Sequence, residues 1–249
     1  MIQDIKSVVW KEATELIHII AGTRAQWVGL AVFFGIFGVF MPLQMGDAIE
    51  KFPAVMFVFS FMPMFIVMQI VADSFAGERE RHTLETMLAT RLPDKAILFG
   101  KITTIVLYGW GMSMLIFIIM LISVNIIHGD EKLILPPLMI AAANVVASVL
   151  VAVFATSIGI FISLRAATVK QAQQTIGLIM MSIWFLPVFV VPIISKYIPK
   201  DSMKPVEGML KNLGIEMFLV ILIGGIFLVD IAFIKILTKR FKRERLILD

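Results

Sequence analysis

Long apolar stretches alternate with short polar ones along most of this 249-residue chain. Runs without any charged residue cover 25–46, 52–72, 102–129, 133–164 and 171–195, and a sixth run over 217–234 contains only Asp230. Each run approaches or exceeds the about 20 residues that a helix needs to cross the hydrocarbon core of a membrane. The pattern predicts an all-α integral membrane protein with six transmembrane helices. No linker divides the chain, so we expect a single membrane domain over residues 1–249.

Composition supports this class. Hydrophobic residues make up 59% of the chain and charged residues 16%. In soluble domains, about 45–50% of residues are apolar and about 25% are charged. The chain has no cysteine, which excludes disulfides and thiolate metal sites.

The distribution of lysine and arginine predicts the orientation. With six spans, both termini, the segment after span two and the turn after span four share one side, which carries 16 of the 22 basic residues. Basic residues favour the cytoplasmic side, so we expect a multi-pass protein of the cell membrane with both termini in the cytoplasm. The basic cluster 239–245 is interpreted as part of this signal and as a contact with anionic lipid, rather than as a nucleic-acid site.

Two segments outside the spans have their own patterns. Residues 1–22 place Ile2, Ile5 and Val9 on one helical face, which predicts an amphipathic helix lying along the membrane interface; a cytoplasmic helix packed on the segment after span two is the alternative.

Residues 195–212 form a polar segment on the outer side. The prolines before it predict a kink or a partly re-entrant element, or simply a helix end and a loop.

The polar segment Asp73–Lys95, here called the insert, separates spans two and three and is longer than a loop requires. Within it, Leu84, Met87, Leu88 and Leu92 recur at helical spacing, with charged residues on the flanks. The spacing predicts a cytoplasmic helix over 76–93 whose apolar stripe packs into a groove.

The motifs of several enzyme classes are absent from the sequence. The three histidines do not form an H-E-x-x-H pair, no G-x-S-x-G sequence occurs, and Gly100-Lys101 lacks the other glycine of a phosphate-binding loop. We therefore expect no catalytic residues and no metal or other cofactor in this chain, and no hydrolysis of ATP by the chain alone.

Few polar residues lie within the spans. Asp230 is the main candidate for an intramembrane polar site, because a carboxylate in hydrocarbon is costly and is usually paired or functional. Pairing with Lys235 or Lys239 at the membrane boundary is the favoured interpretation. Gln69 and Asp73 share one face of span two at i, i+4, where a local capping or hinge role is expected.

Small residues also recur every fourth position, at Ala155, Gly159 and Ser163 and at Gly109 and Ser113. Such stripes let helices approach closely. We expect them to pack within the bundle, with a homodimer contact as the alternative.

The insert resembles a known family. Glu78-Arg-Glu-Arg-His-Thr-Leu-Glu-Thr-Met-Leu-Ala-Thr90, followed by Gly100-Lys101, is similar to the E-x-E-x-x-T-L-E-x-L-L-A-T…G-K signature of ABC-2 type permeases, the membrane subunits of a class of ATP-binding-cassette exporters. Six spans, an interfacial N-terminal helix and an outer segment before the last span also match. Two positions depart from the signature: Arg91 follows the Ala-Thr pair where a proline is usual, and Met87 replaces a leucine.

The resemblance implies that a separate ATPase subunit, which holds ATP and Mg²⁺, docks on the insert as a coupling helix. This subunit is expected to drive export through two permease copies, which form a homodimer in the membrane lipid. The docking residues implied are Glu78, Glu80, Thr83, Leu84, Glu85, Met87 and Leu88, with the leucines and Met87 as anchors. The transported substrate stays open. The alternatives are an ion-coupled transporter that uses Asp230 and a membrane scaffold that transports nothing.

Overall fold

The structure, a computed structural model, describes residues 1–21, 24–44, 59–128, 133–197 and 215–241. Regular structure in these ranges is helical, which confirms the predicted all-α class. The elements are α1 (Ile2–Ala21), α2 (Arg24–Phe34), a π-helical segment (Gly35–Phe40), α3 (Met41–Gln44), α4 (Met62–Glu80), α5 (Leu84–Leu88), α6 (Asp94–His128), α7 (Leu138–Ser163), α8 (Val169–Tyr197) and α9 (Ile215–Arg240).

Four helical stretches in the described ranges are long and apolar enough to cross a membrane: Trp27–Gln44, Asp94–Ile127, Leu138–Ser163 and Leu219–Arg240. They coincide with the first, third, fourth and sixth predicted spans. The second predicted span begins outside the described residues and continues into α4, and the fifth lies within α8. The count of six therefore stays a prediction, and most of the polar segment 195–212 also lies outside the described residues.

Helix α4 lies at the centre of the bundle, between α6, α7 and α8. Its residues Val67, Val71 and Phe75 are fully buried. A Cβ on Gly109 of α6 would collide with Val67, and one on Gly159 of α7 would collide with Val71. The small-residue stripes therefore pack within the chain, because a larger side chain at either glycine would push its helix away from α4.

Helix α1 agrees with the amphipathic helix predicted over 1–22, and it also packs on the first turns of α6. Val8 is 5% exposed, whereas Trp10 on another face is 77% exposed. A Cβ built on Gly100 would lie 2.5 Å from Cγ1 of Val8. Glycine at position 100 therefore lets α1 and α6 approach closely, so α1 combines an exposed face with a face packed on the bundle.

The variant Gly100→Ala should loosen this contact. We expect it to lower the free energy of unfolding by about 1–3 kcal/mol, the usual cost of overpacking a close contact, measured by chemical unfolding in mixed micelles. Gly111→Ala is the matched control, because it lies on the same helix and its added Cβ meets nothing within 4 Å. Equal stability of the two variants would contradict the packing described here.

Candidate functional site

The insert is not a single helix in the structure. Helix α4 extends through its first part to Glu80, α5 covers only Leu84–Leu88, and α6 begins at Asp94. His82, between α4 and α5, has φ 57°, a left-handed conformation that ends a right-handed helix. The structure thus differs from the continuous helix expected over 76–93, because the chain must reverse direction between two helices that pack on each other.

The apolar stripe of the insert turns toward its own bundle. Leu84 is 6% exposed and belongs to the main hydrophobic core, and Met87 and Leu92 pack partly buried against that core. The side chain of Leu88 lies outside what the structure describes. The groove that receives Leu84, predicted as an anchor for a partner, is in the same polypeptide, and Leu84 fixes α5 to the bundle.

The opposite side of the insert is polar and accessible. We call residues 81–91 the exposed turn. Its exposed side chains are Arg81, His82, Thr83, Glu85, Thr86, Ala89, Thr90 and Arg91. Of the predicted docking residues, Thr83 and Glu85 lie on this face, whereas Leu84 does not. The hydroxyl of Thr83 also donates a hydrogen bond to the carbonyl oxygen of Glu78, 3.2 Å away, which attaches the turn to the end of α4.

A buried lysine joins three helices beneath the exposed turn. Nζ of Lys101, on α6, lies 2.9 Å from Oε1 of Glu78 on α4 and 3.0 and 3.1 Å from the carboxylate oxygens of Glu12 on α1. The Lys101 side chain is 2% exposed and that of Glu78 is 8% exposed. We call Glu12, Glu78 and Lys101 the Lys101 cluster. Glu78, predicted as a docking residue, is therefore buried between these helices.

Burial in the Lys101 cluster disfavours the charged form of Glu78. Burial raises the pKa of Glu78, because a carboxylate loses hydration when it leaves water. The positive charge of Lys101 acts on this pKa in the opposite direction. Oε2 of Glu78 has no hydrogen-bond partner among the described residues. Lys11, on the exposed side of α1, lies 3.8 Å from Oε1 and so contributes a second, more distant positive charge.

The base of the insert is also attached to the connection between α7 and α8. The Arg79 guanidinium donates hydrogen bonds to the carbonyl oxygens of Leu164 and Ala166, at 2.9 and 2.7 Å. Glu80, another predicted docking residue, accepts a hydrogen bond from the backbone N–H of Val169 at 3.0 Å. A displacement of the insert would consequently reach α7 and α8 as well as α4 and α6.

Ser163, the last residue of α7, adds a further attachment. Its Oγ accepts hydrogen bonds from the backbone N–H groups of Phe75 and Ala76 and donates one to the carbonyl oxygen of Ala72. This residue is fully buried, so α7 ends directly on α4.

Asp73 forms an ion pair with the exposed turn. Its two carboxylate oxygens accept hydrogen bonds from the Arg81 guanidinium at 3.0 and 3.2 Å, and a Cβ on Gly77 would collide with its side chain. This pair links the last two turns of α4 to the exposed turn. The side chain of Gln69 lies outside what the structure describes.

Asp230 lies near the middle of α9 and is 3% exposed. Neither carboxylate oxygen has a hydrogen-bond partner among the described residues. Lys235 and Lys239 are exposed, and neither forms an ion pair with Asp230 within the part of the chain that the structure describes. The structure therefore differs from the expected pairing at the membrane boundary.

Sequence reasoning did not single out Glu12 or Arg79. The available signal was Lys101, which directly precedes a charge-free run of 28 residues. A lysine in that position requires either water or a carboxylate. Glu12 and Glu78 are far away in sequence, so their pairing with Lys101 could not be deduced without knowing how α1 and α4 pack on α6.

Comparisons with known proteins agree with this architecture. A family model described as ABC-2 type transporter matches residues 3–206. The chain is also similar to the ABC transporter permease protein NatB of Bacillus subtilis (strain 168), with 25% identity over 151 residues. That alignment covers 56% of this chain and 38% of NatB, so the chain spans well under two thirds of the length of this relative.

Proposed function

This chain belongs to the ABC-2 type transporter family, and from that membership we propose that it is the permease subunit of an exporter driven by a separate ATPase. The family places it among the membrane components of ABC transporters, which do not hydrolyse ATP themselves. In the proposal, the ATPase subunit holds ATP and Mg²⁺, docks on the exposed turn and moves the helices attached to it. The chain itself would carry no catalytic residue and no cofactor.

The observation that carries this proposal is the set of contacts that connect the insert, partly through the Lys101 cluster, to the five helices α1, α4, α6, α7 and α8. Leu84 packs α5 against the core, Lys101 joins α1 and α4 to α6, and Arg79 donates a hydrogen bond to the connection between α7 and α8. Packed cores respond to force by moving as units rather than by deforming continuously. A subunit that pushes on the exposed turn would thus displace all of these helices together.

Docking would use the polar face of the insert. Thr83, Glu85 and Thr86 are exposed and can contact a partner, whereas Leu84 and Glu78 would act by holding the turn in place. Charged groups at the rim of an interface, such as Glu85, contribute mainly to orientation and association rate. Half-buried Met87 contributes to both the core and the edge of the docking face.

The arrangement proposed for the whole protein follows the sequence analysis. Two permease copies form a homodimer in the lipid of the cell membrane, with both termini and the exposed turn in the cytoplasm. The single domain over 1–249 includes the interfacial helix at 1–22, the coupling segment at 76–93 and the extracytoplasmic segment at 195–212.

A second candidate function is ion-coupled transport through Asp230. It is favoured by one observation: both oxygens of this buried carboxylate lack a hydrogen-bond partner among the described residues, as a site that binds a proton or a cation would require.

Reconstitution separates the two candidates. We expect the ABC ATPase that co-purifies with the intact chain to hydrolyse ATP several-fold faster when both are in lipid nanodiscs, and we expect Asp230→Asn to keep that stimulation. Liposomes that contain the chain alone should show no flux of Na⁺ or H⁺ down an imposed gradient. A flux that Asp230→Asn abolishes would favour the second candidate, and ATPase binding without any stimulation would favour a scaffold.

A further inference from the structure

A cavity of about 680 Å³ lies beside the Lys101 cluster, between α1, α2, α4 and α6, with the first turns of α8 also in its wall. Small-molecule sites in proteins usually enclose about 300–1,000 Å³, so the volume suits one ligand. The cavity is elongated along the helices. On α6 its wall runs from Lys101 to Ile116, which corresponds to about 22 Å of helix.

The two ends of this cavity differ in chemistry. On α4 the wall begins with Phe65 and Ile66 and ends with Glu78, and Arg81 of the exposed turn follows it. On α6 it changes in the opposite sequence direction, from Lys101 to Met112 and Ile116. Phe33 and Phe34 of α2 line the apolar end, and Glu12 and Glu15 of α1 line the polar end. A ligand that fits must therefore be an amphiphile, with a polar head at one end and an apolar tail at the other.

The charge of the polar end favours a cation. Four acidic side chains line the cavity, Glu12, Glu15, Asp73 and Glu78, against two basic ones, Arg81 and Lys101. Lys11 reaches the same carboxylates from outside the wall. Even with Lys11 included, the acidic groups outnumber the basic ones, and opposite charge in the ligand is the stabilising arrangement.

One oxygen of the Glu78 carboxylate can accept a hydrogen bond from a ligand. The Glu78 side chain is 8% exposed, and Oε1 binds Lys101, but Oε2 has no hydrogen-bond partner among the described residues. A buried acceptor without a partner is costly. An ammonium group that donates N–H would satisfy it, whereas a quaternary ammonium has the same charge but no N–H to donate.

We propose that this cavity binds an amphiphile with a primary ammonium head, which donates a hydrogen bond to Oε2 of Glu78, and an alkyl tail that lies among Phe33, Phe65 and Ile66. The proposal concerns binding and stands apart from the direction of transport and from the docking of an ATPase. A lipid such as phosphatidylethanolamine and a single-chain amine share this chemistry.

Binding of dodecylammonium to the full chain tests the proposal. The chain is placed in phosphatidylglycerol nanodiscs, and radiolabelled ligand is measured against empty nanodiscs of the same lipid. We expect one saturable site per chain. Dodecyltrimethylammonium, which has the same tail and charge, should bind at least ten-fold more weakly, because it cannot donate to Glu78.

Two variants locate the site. Gly29 lines the cavity, and a Cβ there meets nothing within 4 Å, so Gly29→Leu should fill space and weaken binding at least ten-fold. Gly35→Leu is the matched control: this glycine also has open space, follows in the same helical stretch and does not line the cavity, and its variant should bind as the intact chain does. Glu78→Gln, which keeps the shape but removes the charge, should also weaken binding at least ten-fold.

The absence of saturable binding above empty nanodiscs would overturn the proposal, as would equal binding by Gly29→Leu and the intact chain, or equal binding of the two ammonium probes. Exchanging half of the lipid for phosphatidylethanolamine identifies the source of the ligand. Competition would show that the lipid occupies the site, and unchanged binding would assign the site to single-chain amines.

Discussion

Replacing Lys101 with methionine is expected to lower the free energy of unfolding by roughly 3–5 kcal/mol, the usual cost of removing one partner from a buried ion pair. Lys101 is 2% exposed and holds both Glu12 and Glu78. Without it, two carboxylates would stay largely buried, with only the more distant charge of the exposed Lys11 near them. Unfolding in mixed micelles, followed by circular dichroism, measures the loss.

Two further variants distinguish the ion pair from a general effect of the substitution. Lys95→Met changes an exposed lysine of the same helix and should alter stability by less than about 0.5 kcal/mol. Adding Glu78→Gln to Lys101→Met should recover part of the loss, because one unpaired carboxylate is removed. If Lys101→Met were as stable as Lys95→Met, the Lys101 cluster would not hold the three helices together.

The second large effect is expected at the exposed turn. The double variant Thr86→Trp and Ala89→Trp places bulky side chains at two exposed positions without touching the core. We expect the affinity for the ATPase subunit to fall at least ten-fold, which corresponds to about 1.4 kcal/mol or more, because a close-packed interface cannot accommodate the added volume. Surface plasmon resonance with nanodisc-embedded chain and the co-purifying ATPase measures the change.

A matched pair of tryptophans elsewhere controls for nonspecific effects. Leu138 is 87% exposed and Met139 is 46% exposed at the start of α7, far from the exposed turn along α6. Tryptophan at both positions should leave the affinity unchanged. Equal loss of binding in the two double variants, or no loss in either, would contradict docking at the exposed turn.

Leu84 is a poor position for such a test, although the sequence alone recommends it. Because Leu84 is 6% exposed in the main core, Leu84→Asp would bury a charge and destabilise the chain. A loss of ATPase binding would then report unfolding rather than docking. Substitutions that test docking should therefore be made on the polar side of α5 rather than on its apolar side.

Four of the six predicted spans overlap helices that are long and apolar enough to cross a membrane. Their positions could be predicted because the cost of polar groups in hydrocarbon restricts charged residues to the segments between spans. The amphipathic character of α1 could also be predicted, since it depends only on helical periodicity. In the insert, periodicity located the apolar stripe around Leu84 and Met87, but it could not say which surface the stripe meets. That depends on whether the chain supplies a groove of its own.

The contacts that build the candidate site depend on tertiary packing and could not be predicted from the sequence. Nothing in the local sequence pairs Lys101 with Glu12, or Arg79 with the carbonyl oxygen of Ala166, because these contacts join elements that are distant in the chain. The break at His82 was also missed: histidine is compatible with a helix, and the reversal there is imposed by the packing of α4 on α6. Asp230 was recognised as costly, but its lack of a partner among the described residues could not be predicted.

Cysteine crosslinking tests the central claim most directly. The chain contains no cysteine, so Thr86→Cys introduces a single reactive thiol on the exposed turn, and Leu138→Cys introduces one at the far end of α6 and α7. With a short bifunctional reagent and the co-purifying ATPase, we predict a crosslinked permease–ATPase product from Thr86→Cys and none from Leu138→Cys. Crosslinking from Leu138→Cys alone, or from neither position while the complex stays assembled, would contradict the account.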